Sequence, residues 1–173
     1  MTKLRIFSLC IRALALASFA SFFCLSGALS SAFAANPPQV SGRVHLQDIG
    51  DKPLANNQWA GTKGESRRIE AFWLQVDHTD AAVLSVKYMC HLENTGDTVW
   101  KLAGTLCGTR GESRRLEGFA IKLTGSSAQF FTIKYQCHIE NSGDSAVMAD
   151  GQFCGTRNQS LRVESMKVWI DYK

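Results

Sequence analysis

One stretch, Cys107-Gly108-Thr109-Arg110-Gly111-Glu112-Ser113-Arg114-Arg115-Leu116-Glu117, is written three times in this chain. A near copy starts at Ala60 and a looser one at Cys154, so the first glycine falls at Gly61, Gly108 and Gly155, 47 residues apart both times. Self-similarity at a fixed period of this length is the mark of a repeat architecture, in which each unit is one supersecondary module that buries its apolar face only against its neighbours.

The repeats do not reach the N-terminus. Lys3, Arg5 and Arg12 precede an apolar run from Ala13 to Leu25, and Ala32-Phe33-Ala34 fits a small-x-small cleavage site. Residues 1–34 therefore read as a secretory signal peptide. A retained membrane anchor is the competing reading, but the apolar run is short for a bilayer span. Cys24 suggests a lipoprotein, yet Phe22-Phe23 stand where small residues are expected. Three of the 19 basic residues lie in this segment, leaving 16 against 15 acidic ones in residues 35–173. A near-neutral mature chain without a basic cluster gives no reason to expect nucleic acid. Residues 35–42, with Pro37-Pro38 and Gly42, read as a leader, and 43–173 as one domain of three repeats, 43–82, 83–128 and 129–173.

Four cysteines remain after the signal, which allows three pairings. Repeat two has Cys90 and Cys107, repeat three has Cys137 and Cys154, and repeat one has Val44 and Ala60 at the equivalent places. Both positions are cysteine or neither is, as a contacting pair requires. The expected bonds are Cys90–Cys107 and Cys137–Cys154, and export supplies the oxidising conditions they need. The absence of CxxC spacing argues against zinc.

Leu84–Glu93 and Phe131–Glu140 alternate apolar and polar with period two, the signature of a half-buried strand. Asx-Thr/Ser-Gly-Asp turns follow, and a short strand is expected to end on Trp59, Leu106 or Phe153, all read as core. The third strands put Phe72/Leu74/Val76, Phe119/Ile121/Leu123 and Met166/Val168/Ile170 on one face. The same alternation puts Arg68/Glu70, Arg115/Glu117 and Arg162/Glu164 on that core face as structural ion pairs. No stretch of 35–173 has a 3.6-residue period. The chain is expected to be all-β, its three modules closed by pseudo-threefold packing in a β-prism-like fold, with a β-trefoil as the alternative.

The pattern Gly96, Trp100, Gly104, Gly108, Thr109, Gly111, Ser113, Arg115, Glu117 resembles the clostridial hydrophobic-W (ChW) repeat family, and the resemblance covers residues 43–173. It departs where the family carries Trp after the first glycine: here Asp51, Asp97 and Asp144 stand there. The second family Trp survives as Trp100, with Leu54 and Val147 in the other repeats. The resemblance implies an exported or cell-surface protein that binds glycan or protein, and it brings no catalytic residue.

The candidate ligand residues are His45, His91 and His138 on the outward strand faces; Trp73 and Trp169, also outward; Trp100; and the three turn aspartates. Exposed tryptophans stack on sugar rings, and equally serve as interface cover. No nucleophile motif, metal-ligand spacing or phosphate loop is present, so neither an enzyme nor a cofactor is expected. The expected function is a secreted, lectin-like module with up to three weak equivalent sites whose multivalency supplies avidity. The alternative is a protein-binding or structural module of the cell envelope. In neither case does the mature chain insert into a membrane.

Overall fold

The structure, a computed structural model, describes residues 36–173; the segment read above as a signal peptide, residues 1–34, lies outside them. Repeat one contains β1 (Val40–Leu46), β2 (Gly50–Leu54), β3 (Trp59–Gly61) and β4 (Ile69–Val76). Repeat two contains β5 (Ser85–Leu92), β6 (Gly96–Asp97), β7 (Lys101–Leu102), β8 (Cys107–Gly108) and β9 (Leu116–Thr124). A single 3-10 turn, Ala128–Phe130, leads into repeat three: β10 (Phe131–Ile139), β11 (Gly143–Asp144), β12 (Met148–Ala149), β13 (Cys154–Gly155) and β14 (Val163–Tyr172). The fold is all-β with three repeats, as the periodicity implies. The expected leader is shorter than 35–42: Val40 is already in β1 and buried, and Gln39 C=O accepts from Asp77 N–H.

Each repeat builds an antiparallel sheet on its two long strands, β1/β4, β5/β9 and β10/β14. The short strand before the Gly-Thr loop does not join its own sheet. It includes the motif glycine rather than ending before it, and it pairs with the long strand of another repeat. β8 of repeat two pairs with β4 of repeat one, β13 of repeat three with β9 of repeat two, and β3 of repeat one with β14 of repeat three. Every repeat thus extends an arm to the preceding sheet, and the first repeat's arm closes the ring. Closure removes sheet edges that an open row would leave bare.

The motif glycines mark these crossings. Gly61, Gly108 and Gly155 have φ between 117° and 126°, and a Cβ there would lie 2.2–2.3 Å from the backbone oxygen of Glu164, Glu70 or Glu117 in the receiving sheet. A side chain is excluded both by the positive φ and by the approach of the two backbones.

The core lies between the three sheets. Phe72, Phe119 and Met166 are buried, with Phe72 on Phe119 at 5.6 Å and on Tyr88 at 5.1 Å, and Phe119 on Tyr135 at 5.7 Å. Each such side chain contributes about 1.5–3 kcal/mol on burial. Both expected disulfides are formed, Cys90–Cys107 and Cys137–Cys154, and all four cysteines are buried. Each bond ties the root of a repeat, β5 or β10, to that repeat's own outgoing arm. Val44 and Ala60 pack into the core at the third such place.

The arms of repeats two and three are held a second way. Tyr88 hydroxyl donates to Thr105 C=O in its own arm and accepts from Leu74 N–H in the receiving sheet. Tyr135 does the same with Gln152 C=O and Ile121 N–H. The cross-strand register puts Gly42 at this position in repeat one, because Gly42, Tyr88 and Tyr135 face Leu74, Ile121 and Val168. Gly42 is required there: a Cβ would fall 2.0 Å from Trp73 C=O.

The structure changes the phase expected for the ion pairs. A β-bulge falls at the same point of each sheet, between His45/Leu46, His91/Leu92 and His138/Ile139, and the unpaired residue opposite is Glu70, Glu117 or Glu164. A bulge inserts one residue and flips the alternation beyond it. The residues that turn into the core are therefore Ile69, Leu116 and Val163, each fully buried, and not the Arg and Glu read as core-facing. The glutamates are displaced to the histidine side. Trp59, Leu106 and Phe153 are corrected too: all three are half-buried and outside the core, and Trp59 has Lys63 Nζ 3.4 Å above its ring.

Candidate functional site: three polar seams between repeats

Where an arm reaches the neighbouring sheet, it meets the end of the long strand and the turn after it. In repeat two that end carries His91 near the end of β5, Glu93 just after it, Asp97 on β6, and Arg115 and Glu117 where β9 begins. His91 Nδ1 lies 2.5 Å from Asp97 Oδ1, and Nε2 lies 3.8 Å from Glu117. Arg115 donates from Nε to Glu117 at 2.8 Å and from Nη1 to Glu93 at 2.5 Å. The arm of repeat three then adds Arg157, whose Nε and Nη2 donate to both oxygens of Asp97 at 3.1 and 2.9 Å. Charge-assisted bonds of this kind fix geometry well because the guanidinium fork is rigid.

The same construction recurs twice. At the seam of repeats one and two, His45 holds Asp51 at 2.7 Å, Arg68 holds Glu70 and Gln47 at 2.9 Å each, and Arg110 reaches Asp51 at 2.8 Å. At the closing seam of repeats three and one, His138 holds Asp144 at 2.6 Å and Arg162 holds Glu164 and Glu140 at 3.0 and 2.7 Å. Lys63 there reaches both oxygens of Asp144 at 2.8 Å, and Gly64 N–H donates to Glu164 at 3.1 Å.

The aspartates respond to this company. The hydrogen bond from His45, with Arg110 nearby, holds the Asp51 carboxyl below its ordinary value. Bonds from Arg157 and then His91 lower Asp97. For Asp144 the largest influence, partial burial, pushes upward, but Lys63 and His138 together outweigh it and the net direction is down. Burial raises the Tyr88 hydroxyl and pushes that of Tyr135 up to about 12, so both clamps stay protonated donors.

The arm loop takes its shape from its own residues. Gly64, Gly111 and Asn158 have φ of 72°, 72° and 59°, and Ser66, Ser113 and Ser160 have φ of 55–57°. Glycine and asparagine tolerate the left-handed region, so the Gly/Asn alternation in the motif is a conformational requirement. At the seam of repeats two and three the loop leaves an open cleft of about 290 Å³, lined by His91, Glu93, Asn94, Arg115, Glu117, Asn158 and Ser160. Phe153 lies behind it. Its ring occupies the space a Cβ on Gly118 would take, stands edge-on to His91 at 6.3 Å, and carries Arg157 on its face at 3.5 Å.

Of the residues expected to bind ligand, the structure brings together the histidines and the turn aspartates, and joins to them the Arg–Glu pairs read as purely structural. The tryptophans are elsewhere. Trp73 is half-buried and packs against the core from β4. Trp169 lies on the outer face of β14 between Lys167 and Asp171, donating to Asp171 at 3.1 Å. Trp100 is 38% exposed beside the more exposed Val99 and Leu102, under Lys122 Nζ at 4.3 Å. Among the described residues no group of His, Cys, Asp and Glu could hold a metal ion. The residues missed from sequence are Lys63, Arg110 and Arg157. The signal was present, since the variable place in Gly-Thr-x-Gly/Asn is basic in all three repeats.

A ring of three β modules that build like sites at their junctions is a repeat protein whose sites belong to the assembly and not to one module. The family profile described as Clostridial hydrophobic W (ChW) matches residues 45–77, 91–125 and 138–171, one match per repeat, and the chain belongs to that family. No curated protein and no solved structure matches the chain. The two disulfides are bonds of an oxidising compartment. No helix among the described residues is long and apolar enough to cross a membrane.

Proposed function

We propose that this protein is a secreted, non-catalytic module that binds carbohydrate at the seams between its repeats. The observation that carries the reading is the cleft at the seam of repeats two and three, about 290 Å³ in volume and lined by carboxylates, a guanidinium and amides from two repeats. A sugar hydroxyl donates and accepts at once, so it fits a surface where donors and acceptors alternate. The charges there are already paired with one another, which favours an uncharged, hydroxylated ligand over an ion that would have to break those pairs. Seams of like construction on one rigid ring would give avidity toward a repeating polymer.

The test is a glycan array with the mature protein, followed by titration calorimetry on Asn158→Gly. Glycine occupies this place in the other two arms, so the loop conformation is kept while the amide is removed. Loss of glycan affinity with an unchanged melting temperature supports the reading; an array without hits, or unchanged affinity, overturns it. A second reading, protein recognition, is favoured by one observation: Val99 and Leu102 are 75% and 71% exposed on either side of Trp100. It predicts that Trp100→Ala, and not Asn158→Gly, abolishes binding to the partner.

A further inference from the structure

The three arms are not equally secured, and the difference falls on the arm that closes the ring. The arms of repeats two and three are each tied to their own long strand by a disulfide and to the receiving sheet by a buried tyrosine hydroxyl. The arm of repeat one, residues 55–68, has Val44 and Ala60 in place of the cysteines and Gly42 in place of the tyrosine. Its crossing cation is Lys63, on a flexible stem, where the others use the rigid fork of Arg110 and Arg157. Its left-handed residue at the crossing is Asn57 (φ 57°), where Gly104 and Gly151 stand in the other arms. It is held to β14 and the turn beside it by a three-residue ladder, the Asn57 N–H to Val168 C=O and Thr62 N–H to Glu164 C=O bonds, the Ser165 hydroxyl donating to Ala60 C=O, Gly64 N–H donating to Glu164, and the ion pair to Asp144.

We infer that this arm can exchange between two copies of the chain: residues 55–68 of one copy pair with β14 of a second, and the second returns its own arm to the first. The occupant of the vacated edge is fixed by chemistry. β14 between Ser165 and Lys167 presents unpaired backbone groups once the arm leaves, Glu164 and Asp144 lie beside it, and the segment matching both the register and the charge is Trp59–Lys63. Reciprocal exchange is self-complementary, the condition for a closed twofold dimer. Each closing seam in that dimer takes its basic residue from one copy and its His138–Asp144 pair from the other.

Complementary charge reversal tests this on the full mature chain. Lys63→Glu and Asp144→Lys each place like charges across the closing seam within one copy. In an exchanged pair of the two variants, every arm meets an opposite charge. Each variant alone is expected to run as a monomer by light scattering, and the equimolar mixture, refolded together, is expected to give a species of doubled mass containing both chains. The matched pair Arg157→Glu and Asp97→Lys is expected to stay monomeric on mixing, because that arm is bonded to its own long strand. A mixture of the first pair that remains monomeric overturns the inference, as does a dimer that forms equally with the second pair. A third staple, Val44→Cys with Ala60→Cys, is expected to abolish any dimer of the otherwise unaltered chain. Persistence of that dimer with the bond formed would place the contact elsewhere and overturn the inference as well.

Discussion

Along the seams, the histidine, the turn aspartate, the Arg-x-Glu pair and a basic residue on the incoming arm stand in all three repeats and make the same contacts each time. On the outer sheet faces nothing comparable holds. The place of Trp73 is taken by Ala120 and Lys167 in the other repeats, that of Trp169 by Gln75 and Lys122, and Trp100 stands where repeat three has Val147. The contrast shows which residues belong to the ring. A seam residue is constrained from two sides, by its own strand and by the neighbour's arm, whereas an outward side chain answers to one sheet and to solvent. Triplication therefore marks architecture first. If these groups also bind ligand, they do so with groups already tied into the fold.

That contrast can be broken or sharpened by substitution. The largest effect is expected from the bonds that hold the arms. Cys137→Ala with Cys154→Ala should lower stability by about 3 kcal/mol through loss of loop closure, read from urea melts under non-reducing conditions. Arg115→Ala comes next. It leaves Glu117, almost fully buried, and Glu93 without their shared partner, and since the arginine is itself partly exposed a loss of about 2 kcal/mol is expected. Arg114→Ala, one residue away and bonded to exposed Glu112 and Thr95, should cost about 0.5 kcal/mol or less. Equal effects of the two would erase the distinction between seam and outer face.

Acid probes all three seams together. Asp51, Asp97 and Asp144 are held below the ordinary aspartate value of 3.8 in the folded chain. A carboxyl depressed by folding contributes stability that is present above its unfolded pKa and is lost as pH falls through the folded one. The melting temperature should therefore hold between pH 7 and 5 and drop below about pH 4, and Asp97→Asn should make the drop shallower. The smallest effect is expected outside. Trp100→Ala should change stability by less than about 0.5 kcal/mol, because its ring is partly solvent-exposed and its partner is one lysine.

Much of this was legible in the sequence. The long strands follow from period-two alternation, and the disulfides from the joint absence of both cysteines in repeat one. The exchange of arms was not legible, because β8 and β13 have two residues each and a pattern of two cannot reveal its partner. The bulge hid for a different reason. Leu116 and Glu117 are adjacent, and parity counted back from Phe119 puts the glutamate inside; only the cross-strand register shows the phase reversing between them. The histidines and aspartates were found by repetition, but their link to the arginines runs through a crossing that linear spacing does not encode.

The cyclic exchange of arms also sets a count. Laid out in an open row, three such repeats would form two seams, leaving one sheet without a visitor and one arm without a host. Bending the row until its ends meet creates the third seam with no added residue. Only in the closed form does the number of junctions equal the number of repeats. A chain lacking residues 129–173 would keep just the junction of Asp51 with Arg110. Removing one third of the ring thus removes two thirds of its junctions, and any property that resides in them should fall off more steeply than chain length.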